Sequence, residues 1–311
     1  MLSRKNKLLL LKLASLFSVV RGYNIWVIAL AQYLTSIYIL APEKAFSDVI
    51  LDPNLFIIVL ASTLSIASGY LINNFYDSEK DLINRPTKTF IDNYVSQKTK
   101  LSVYFILNFL AVILASYISF RAVLFFSVYI FMLWFYSHKL KKYPFIGNLT
   151  ASVLAITPFF AVFVYYKNFD WVIFIHASFL FLILSLRELV KDLENLKGDF
   201  SHNYQTIPVV YGIAYSKRLA TLLVLLTAIP VLLLIFYHFP LGYMYYYFII
   251  SFILLLIFLF FLWKAQKRSE YLRLHNLLKA ILVIGVFSIF FINIDLIIDR
   301  LSFLEELFFG K

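Results

Sequence analysis

Cysteine is absent from this chain of 311 residues. That excludes disulfides, thiolate metal ligands and thiol nucleophiles. Charge is scarce as well: 14% of the residues are Asp, Glu, Lys or Arg, while 62% are hydrophobic. A soluble domain carries about a quarter charged residues, so the composition excludes that class and implies an integral membrane protein. Glycine and proline number 8 each. So few helix breakers, with no charge in the middle of an apolar run, argue against the interrupted helices of a transporter. The net charge of +11 raises nucleic acid as a partner, but the basic residues lie between apolar runs and not on one face. No nucleic-acid partner and no obligatory protein partner is expected.

What is present is a series of long apolar runs. A span needs about 20 apolar residues, and nine are expected, at about 23–41, 54–72, 102–118, 121–137, 149–166, 171–187, 219–237, 243–263 and 279–298. Residues 1–22 begin like a secretory signal, but Lys12 and Arg21 interrupt the apolar run and no small-residue cleavage site follows. They are expected to be an amphipathic segment retained on the membrane surface. Five Lys or Arg precede the first span, and five, three, five and five follow the second, fourth, sixth and eighth, together 23 of 28. This asymmetry predicts a cell (inner) membrane protein with its N-terminus cytoplasmic and its C-terminus outside. Asp295, in the last span, falls on the outer side and is expected to be structural.

Two acidic clusters end apolar runs. The first reads Asn73-Asn74-Phe75-Tyr76-Asp77-Ser78-Glu79-Lys80-Asp81, the second Asp192-Leu193-Glu194-Asn195-Leu196-Lys197-Gly198-Asp199. They follow the second and sixth spans, in the longest inner loops, four helices apart, which hints at duplication of a four-helix unit. If the second span continues as a helix, Asn73, Asp77 and Asp81 recur every four residues on one face. Asp192 and Asp199, seven apart, also share a face. Hard oxygen ligands of this kind suit Mg²⁺, which binds through one or two carboxylates plus substrate phosphates. Two readings stay open on spacing alone, a metal–diphosphate site or ordinary polar loops.

The residues resemble the UbiA superfamily of intramembrane prenyltransferases, whose motifs read N-x-x-x-D-x-x-x-D and D-x-x-x-x-x-x-D. Arg21-Gly-Tyr-Asn24 is similar to the family's entry to the first span, and Asn84-Arg85-Pro86 follows the first motif as in many members. Further blocks match at Tyr136-Ser137 through Lys141 to Asn148, at Arg187-Glu188 with Lys191-Asp192 and Gly198-Asp199, and at Thr206-Ile207-Pro208, with an echo at Leu278-Lys279. Three departures stand out: Asn74 where Asp is frequent, Asn195 in place of the inner acid of the second motif, and Thr87-Lys88 after Asn-Arg-Pro.

The resemblance implies an all-α bundle of nine transmembrane helices forming one domain over 1–311, with active-site loops in the cytoplasm. It implies that Asp77, Asp81, Asp192 and Asp199 hold Mg²⁺ against an isoprenyl diphosphate, with Asn73 supporting the metal. Arg85, Lys141 and Lys191 are then candidates for binding the diphosphate, and Tyr136, Arg187 and Asn195 further candidates. Tyr70 and Tyr76 flank the motifs, and aromatic faces stabilise cations, although most of the aromatic residues suit lipid-facing positions. His138 is a candidate acid or base, or a surface group. The implied partners are a donor diphosphate, membrane lipid, and an acceptor of either lipid or aromatic type. The wording of the motifs is most similar to the branch whose acceptor is geranylgeranylglyceryl phosphate. Alternatives are an aromatic acceptor in quinone synthesis, such as 4-hydroxybenzoate or dihydroxynaphthoate, and an intramembrane terpene cyclase.

Overall fold

Long apolar runs leave each span one way to satisfy its backbone in lipid, which is to form a helix. The computed structural model describes residues 4–237 and 242–292, and within them the chain is helical almost throughout. In order the helices are α1 (Arg4–Val19), α2 (Gly22–Thr35), α3 (Phe46–Ile50), α4 (Pro53–Asn84), α5 (Pro86–Asp92), α6 (Gln97–Ser116), α7 (Phe120–His138), α8 (Ile146–Tyr166), α9 (Trp171–Ser201), α10 (Ile207–Tyr237), α11 (Met244–Lys264) and α12 (Arg268–Ser288). Among the described residues nine helical segments are long and apolar enough to cross a membrane, at the nine places read from the sequence. The expected last span runs beyond them, and Asp295 lies outside the described residues.

The boundaries differ in an instructive way. The acidic clusters were expected in loops, but α4 and α9 run on as unbroken helices to Asn84 and Ser201 and carry both clusters on their final turns. The polar turns remain helical because neighbouring elements hold them, as shown below. The seventh segment begins at Ile207 and not near 219, and is interrupted by Gly212 at φ 84°. That left-handed backbone suits glycine.

The termini are built by local chemistry. Asp52 caps α4, its carboxylate accepting from the amides of Asn54 and Leu55, with Pro53 at the first position. Ser96 and Ser119 cap α6 and α7 in the same way. In α8, Pro158 has no N–H to donate to the carbonyl of Leu154, and the Tyr129 hydroxyl donates there at 3.2 Å. Gln32 Nε2 donates to the Pro158 carbonyl at 2.8 Å, tying α2 to the same bend.

α4 packs against α6, α7 and α2, α9 packs against α10, α12 and α8, and α4 and α9 touch one another. These two helices are the inner pair of the bundle. Their C-terminal ends close together where Asn84 Oδ1 accepts from the Gly198 amide at 3.2 Å. A Cβ at position 198 would overlap the Asn84 side chain, so this approach requires glycine.

Candidate active site

The final turns of α4 and α9 lie side by side and bring the two acidic clusters together. Lys80 Nζ stands between them, 3.2 Å from Asp77 Oδ1 and 3.3 Å from Asp199 Oδ1. Two buried carboxylates facing each other need such a cation. Lys141, from the short turn after α7, reaches Asp77 Oδ1 at 2.8 Å and Asn73 Oδ1 at 3.1 Å. Asn73 Nδ2 donates to Asp77 Oδ2 at 3.0 Å. Asn73 and Asp77 thus occupy one face, as their spacing predicts, and Lys141 is fastened to both.

The remaining acids have fewer partners. Asn148 Nδ2 donates to Asp192 Oδ2 at 2.9 Å, and Thr206 donates weakly to Asp199 Oδ2 at 3.4 Å. Asp199 Oδ1 is close to Lys80 but misaligned for a hydrogen bond, and Asn195 Oδ1 is buried with no donor. The Asp81 carboxylate, half-buried, makes no hydrogen bond and no ion pair with the described residues. Open, hard oxygen acceptors at the ends of two adjacent helices are of the kind that suits a divalent cation. Among the described residues no three carboxylate or imidazole groups converge into a cage of their own. An ion held here would have to take its remaining ligands from substrate phosphate and water.

Next to these acids, one to two helical turns deeper, lies a cavity of about 280 Å³. Arg21, Arg187, Lys191 and Lys279 line it with Glu188, Asn73 and Tyr136. Glu188 accepts from Lys191 Nζ at 2.6 Å and from Arg187 Nη1 at 3.3 Å, holding both at the wall. Arg187 Nε is buried with no acceptor among the described residues. Arg21 has a left-handed backbone, φ 52°, and its guanidinium lies 5.0 Å from the Tyr70 ring centre. An unsatisfied donor among four cations is the complement of the acids at the helix ends: it calls for an anion.

This chamber continues into a larger apolar one of about 440 Å³ towards the other end of the bundle. Ala31, Phe159, Leu180, Leu282 and Val286 line both and form the neck. A polar head and an apolar tail of one molecule would be held in sequence.

Some expected residues lie elsewhere. Arg85 does not line this chamber; it is bound to Glu194 at 3.2 Å, in an adjoining pocket. Tyr76 borders a groove between α4, α6 and α7. The His138 ring stacks on Trp134 at 5.4 Å, at the exposed end of α7. Tyr70 and Tyr136 do line the chamber.

Three residues that bind the site together carried no assigned role in the sequence reading: Lys80, Glu194 and Tyr204. The Tyr204 hydroxyl donates to Asp77 Oδ1 at 3.2 Å, and its ring faces Lys80 Nζ at 4.2 Å and Lys142 Nζ at 5.5 Å. Burial, and next the charge of Asp77, raise this hydroxyl above the ordinary tyrosine value, so it stays protonated as a donor. Arg21 and Lys279 fall in blocks the family resemblance did mark.

Comparison with known proteins gives the family and the fold. The family profile described as the UbiA prenyltransferase family matches residues 16–292. A digeranylgeranylglyceryl phosphate synthase of Thermococcus sibiricus is 32% identical over 188 residues, 60% of this chain and 67% of that protein. The synthase of that name from Metallosphaera sedula is 33% identical over 186 residues, 58% of this chain and 64% of that protein. The chain therefore matches about two thirds of the length of these curated relatives. A solved structure of a digeranylgeranylglyceryl phosphate synthase superposes with TM-score 0.67 at 25% identity, covering 89% of this chain and 97% of that one. A UbiA homolog from Archaeoglobus fulgidus, bound to DMAPP and Mg²⁺, shares the fold with TM-score 0.60 at 14% identity, covering 88% and 98%.

Proposed function

The chain belongs to the UbiA prenyltransferase family, and from that premise we propose that it transfers an isoprenyl group from an isoprenyl diphosphate to a membrane-lipid acceptor of the geranylgeranylglyceryl phosphate type. The observation that carries the reading is the two-part chamber, four cations at its head and an apolar cavity behind the neck. The names of the relatives support the choice of acceptor.

In this reading the diphosphate lies against Arg21, Arg187, Lys191 and Lys279, and the isoprenoid tail passes the neck at Ala31. Mg²⁺ held by Asp81, Asp192 and Asp199, with Asn73 and Asp77 behind them, would neutralise charge on the departing diphosphate. Lys141 holds Asn73 and Asp77 in register, and also offers charge to the diphosphate. As the carbon–oxygen bond of the donor breaks, the bonding pair leaves with the diphosphate and an allylic cation remains. The rings of Tyr70 and Tyr136 face it in the chamber. The acceptor hydroxyl forms the new carbon–oxygen bond and gives up its proton to the released diphosphate, while the apolar neck keeps water from intercepting the cation.

The whole chain is proposed to act as one domain, residues 1–22 lying at the interface. The site end of the bundle is assigned to the cytoplasm because the basic residues gather there. The test is to incubate the purified protein with geranylgeranyl diphosphate, Mg²⁺ and a panel of acceptors, and to identify the product by mass. One equivalent of diphosphate per molecule of digeranylgeranylglyceryl phosphate is expected. A cyclic hydrocarbon from the donor alone, or prenylation of an aromatic acid in preference, would overturn the reading.

A further inference from the structure

Beside the donor chamber lies a second pocket of about 470 Å³, between the α4–α5 junction, α9 and the start of α12. Arg85, Lys88, Arg268 and Lys279 line it against a single carboxylate, Glu194. Lys88 is matched by Asp92 at 2.6 Å, and the charge of the others exceeds what Glu194 balances.

Glu194 has no side-chain exposure and works as a post. It accepts from Arg85 Nη2 at 3.2 Å, Arg268 Nη2 at 3.3 Å and His275 Nδ1 at 2.8 Å. Each guanidinium has five N–H donors and spends one nitrogen here, so most of each fork is left without a protein acceptor. Two atoms of the pocket wall add an independent sign of a ligand. Asn84 Nδ2 and His275 Nε2 are both buried and have no hydrogen-bond partner among the described residues. The residues concerned are only 3% and 5% exposed, so these two atoms gain a partner only if the pocket wall shifts to meet an occupant.

The two orphans are complementary. An amide nitrogen is a donor. A neutral imidazole that gives its Nδ1 proton to Glu194 presents a lone pair at Nε2. The occupant therefore needs an anion for the guanidiniums and Asn84, and a hydroxyl for His275. Lys279 lines this pocket and the donor chamber alike, so the two communicate through one side chain. Leu272, which lines the pocket, is exposed, an apolar edge over which a lipid tail can pass.

We propose that this pocket is the acceptor-headgroup site: Arg85, Arg268 and Asn84 hold a phosphate monoester, and His275 Nε2 accepts the hydrogen bond of the neighbouring hydroxyl that is to be prenylated. The assignment rests on the transferase reading above and adds where the acceptor sits and what selects it. A glyceryl phosphate puts a phosphate monoester and an aliphatic hydroxyl on one short, flexible frame, whereas the aromatic acids offer a singly charged carboxylate and a phenol on a flat ring.

The test is a cycle between side chain and ligand in phospholipid nanodiscs. Donor and acceptor kinetics are measured for the wild type, Arg268→Gln and Arg268→Lys, with geranylgeranylglyceryl phosphate and with its dephosphorylated alcohol. A charged hydrogen bond contributes enough to change kcat/KM by about 10- to 100-fold. Arg268→Gln is expected to lose that factor for the phosphate, to leave the alcohol and the donor KM unchanged, and to be largely rescued by Arg268→Lys. An equal loss for phosphate and alcohol, or a raised donor KM instead, would overturn the proposal.

If no acceptor is turned over, the transferase reading fails by itself, and equilibrium binding of the tritiated acceptor lipid judges the pocket. Saturable binding weakened about 10-fold in Arg268→Gln supports it, and equal binding overturns it. Replacing zwitterionic by anionic nanodisc lipid separates the sources. Unchanged affinity supports a dedicated acceptor site, and abolished binding would show that the pocket reads bulk headgroups.

Discussion

On α4, Asp77 is met by Lys141 at 2.8 Å, Lys80 at 3.2 Å and the Tyr204 hydroxyl at 3.2 Å, whereas on α9 the Asp192 carboxylate is met, among the described residues, by the amide of Asn148 alone. The two helices are equivalent in position and carry similar motifs, yet one carboxylate is neutralised by its own protein and the other is left open. A neutralised acid is a fastening: it binds α4 to the turn after α7 and to the link after α9. An open acid is available to a ligand. The acids thus divide the work residue by residue: Asp77 fastens, while Asp81 at the end of α4 and Asp192 on α9 keep negative charge that no ion pair among the described residues spends.

The largest expected effect comes from removing open charge. Asp192→Asn keeps the shape of the side chain and its contact with Asn148 while deleting the charge. Its turnover should fall by about 10²- to 10³-fold, the scale of one electrostatic contact to developing charge. The apparent Mg²⁺ requirement should rise and the melting temperature should stay near that of the wild type. Unchanged turnover would remove Asp192 from the mechanism. Asp77→Ala should behave otherwise, since it strands Lys141, whose side chain is 6% exposed, and leaves Lys80 with Asp199 alone. Breaking one partner out of a buried pair costs about 3–5 kcal/mol, so this variant should lose stability as well as activity. Equal melting temperatures for the two variants would abolish the contrast between fastening and open site.

Lys141→Ala sharpens the comparison from the cation's side. It leaves Asp77 with Lys80 and Tyr204 and withdraws one positive charge from the diphosphate. The donor KM should rise about 10-fold, the value of one charge-assisted contact, with a smaller change in the acceptor KM. An unchanged donor KM would leave Lys141 with the fastening role alone.

The contrast explains what could be read from the sequence. Hydropathy marks the nine segments because lipid imposes one length and one backbone solution on each. The period of four marks Asn73 and Asp77 as one face because helix geometry is local. Partners brought from far along the chain leave no such trace. Tyr204 lies 127 residues from Asp77, and Glu194 lies 81 from His275, in polar stretches that look like any others. Asn74, a departure from the family motif, illustrates the point. Its Oδ1 accepts from Lys100 Nζ at 2.8 Å while its Nδ2 donates to Asp92 Oδ2 at 3.2 Å. An ionised aspartate could receive the lysine but would repel Asp92, so the amide is what this buried network demands. Lys100 and Asp92 identify the reason only once α5 and α6 have been placed against α4.

The smallest effect tests how far the fastening extends. Tyr204→Phe keeps the ring that faces Lys80 and Lys142 and removes one donor to Asp77. Lys141, Lys80 and Asn73 still hold that carboxylate, so the loss should be near the lower end for a hydrogen bond to a charged group, about 1.5 kcal/mol. The melting temperature should fall by a few degrees, on the order of 2–4 °C for a chain this long, and turnover by only a few-fold. Because Asp192 and Asp199 keep their contacts, the Mg²⁺ requirement should stay where it was. A variant of normal stability with a raised Mg²⁺ requirement would mean that Tyr204 orients an open acid and that Asp77 belongs with α9's carboxylates after all.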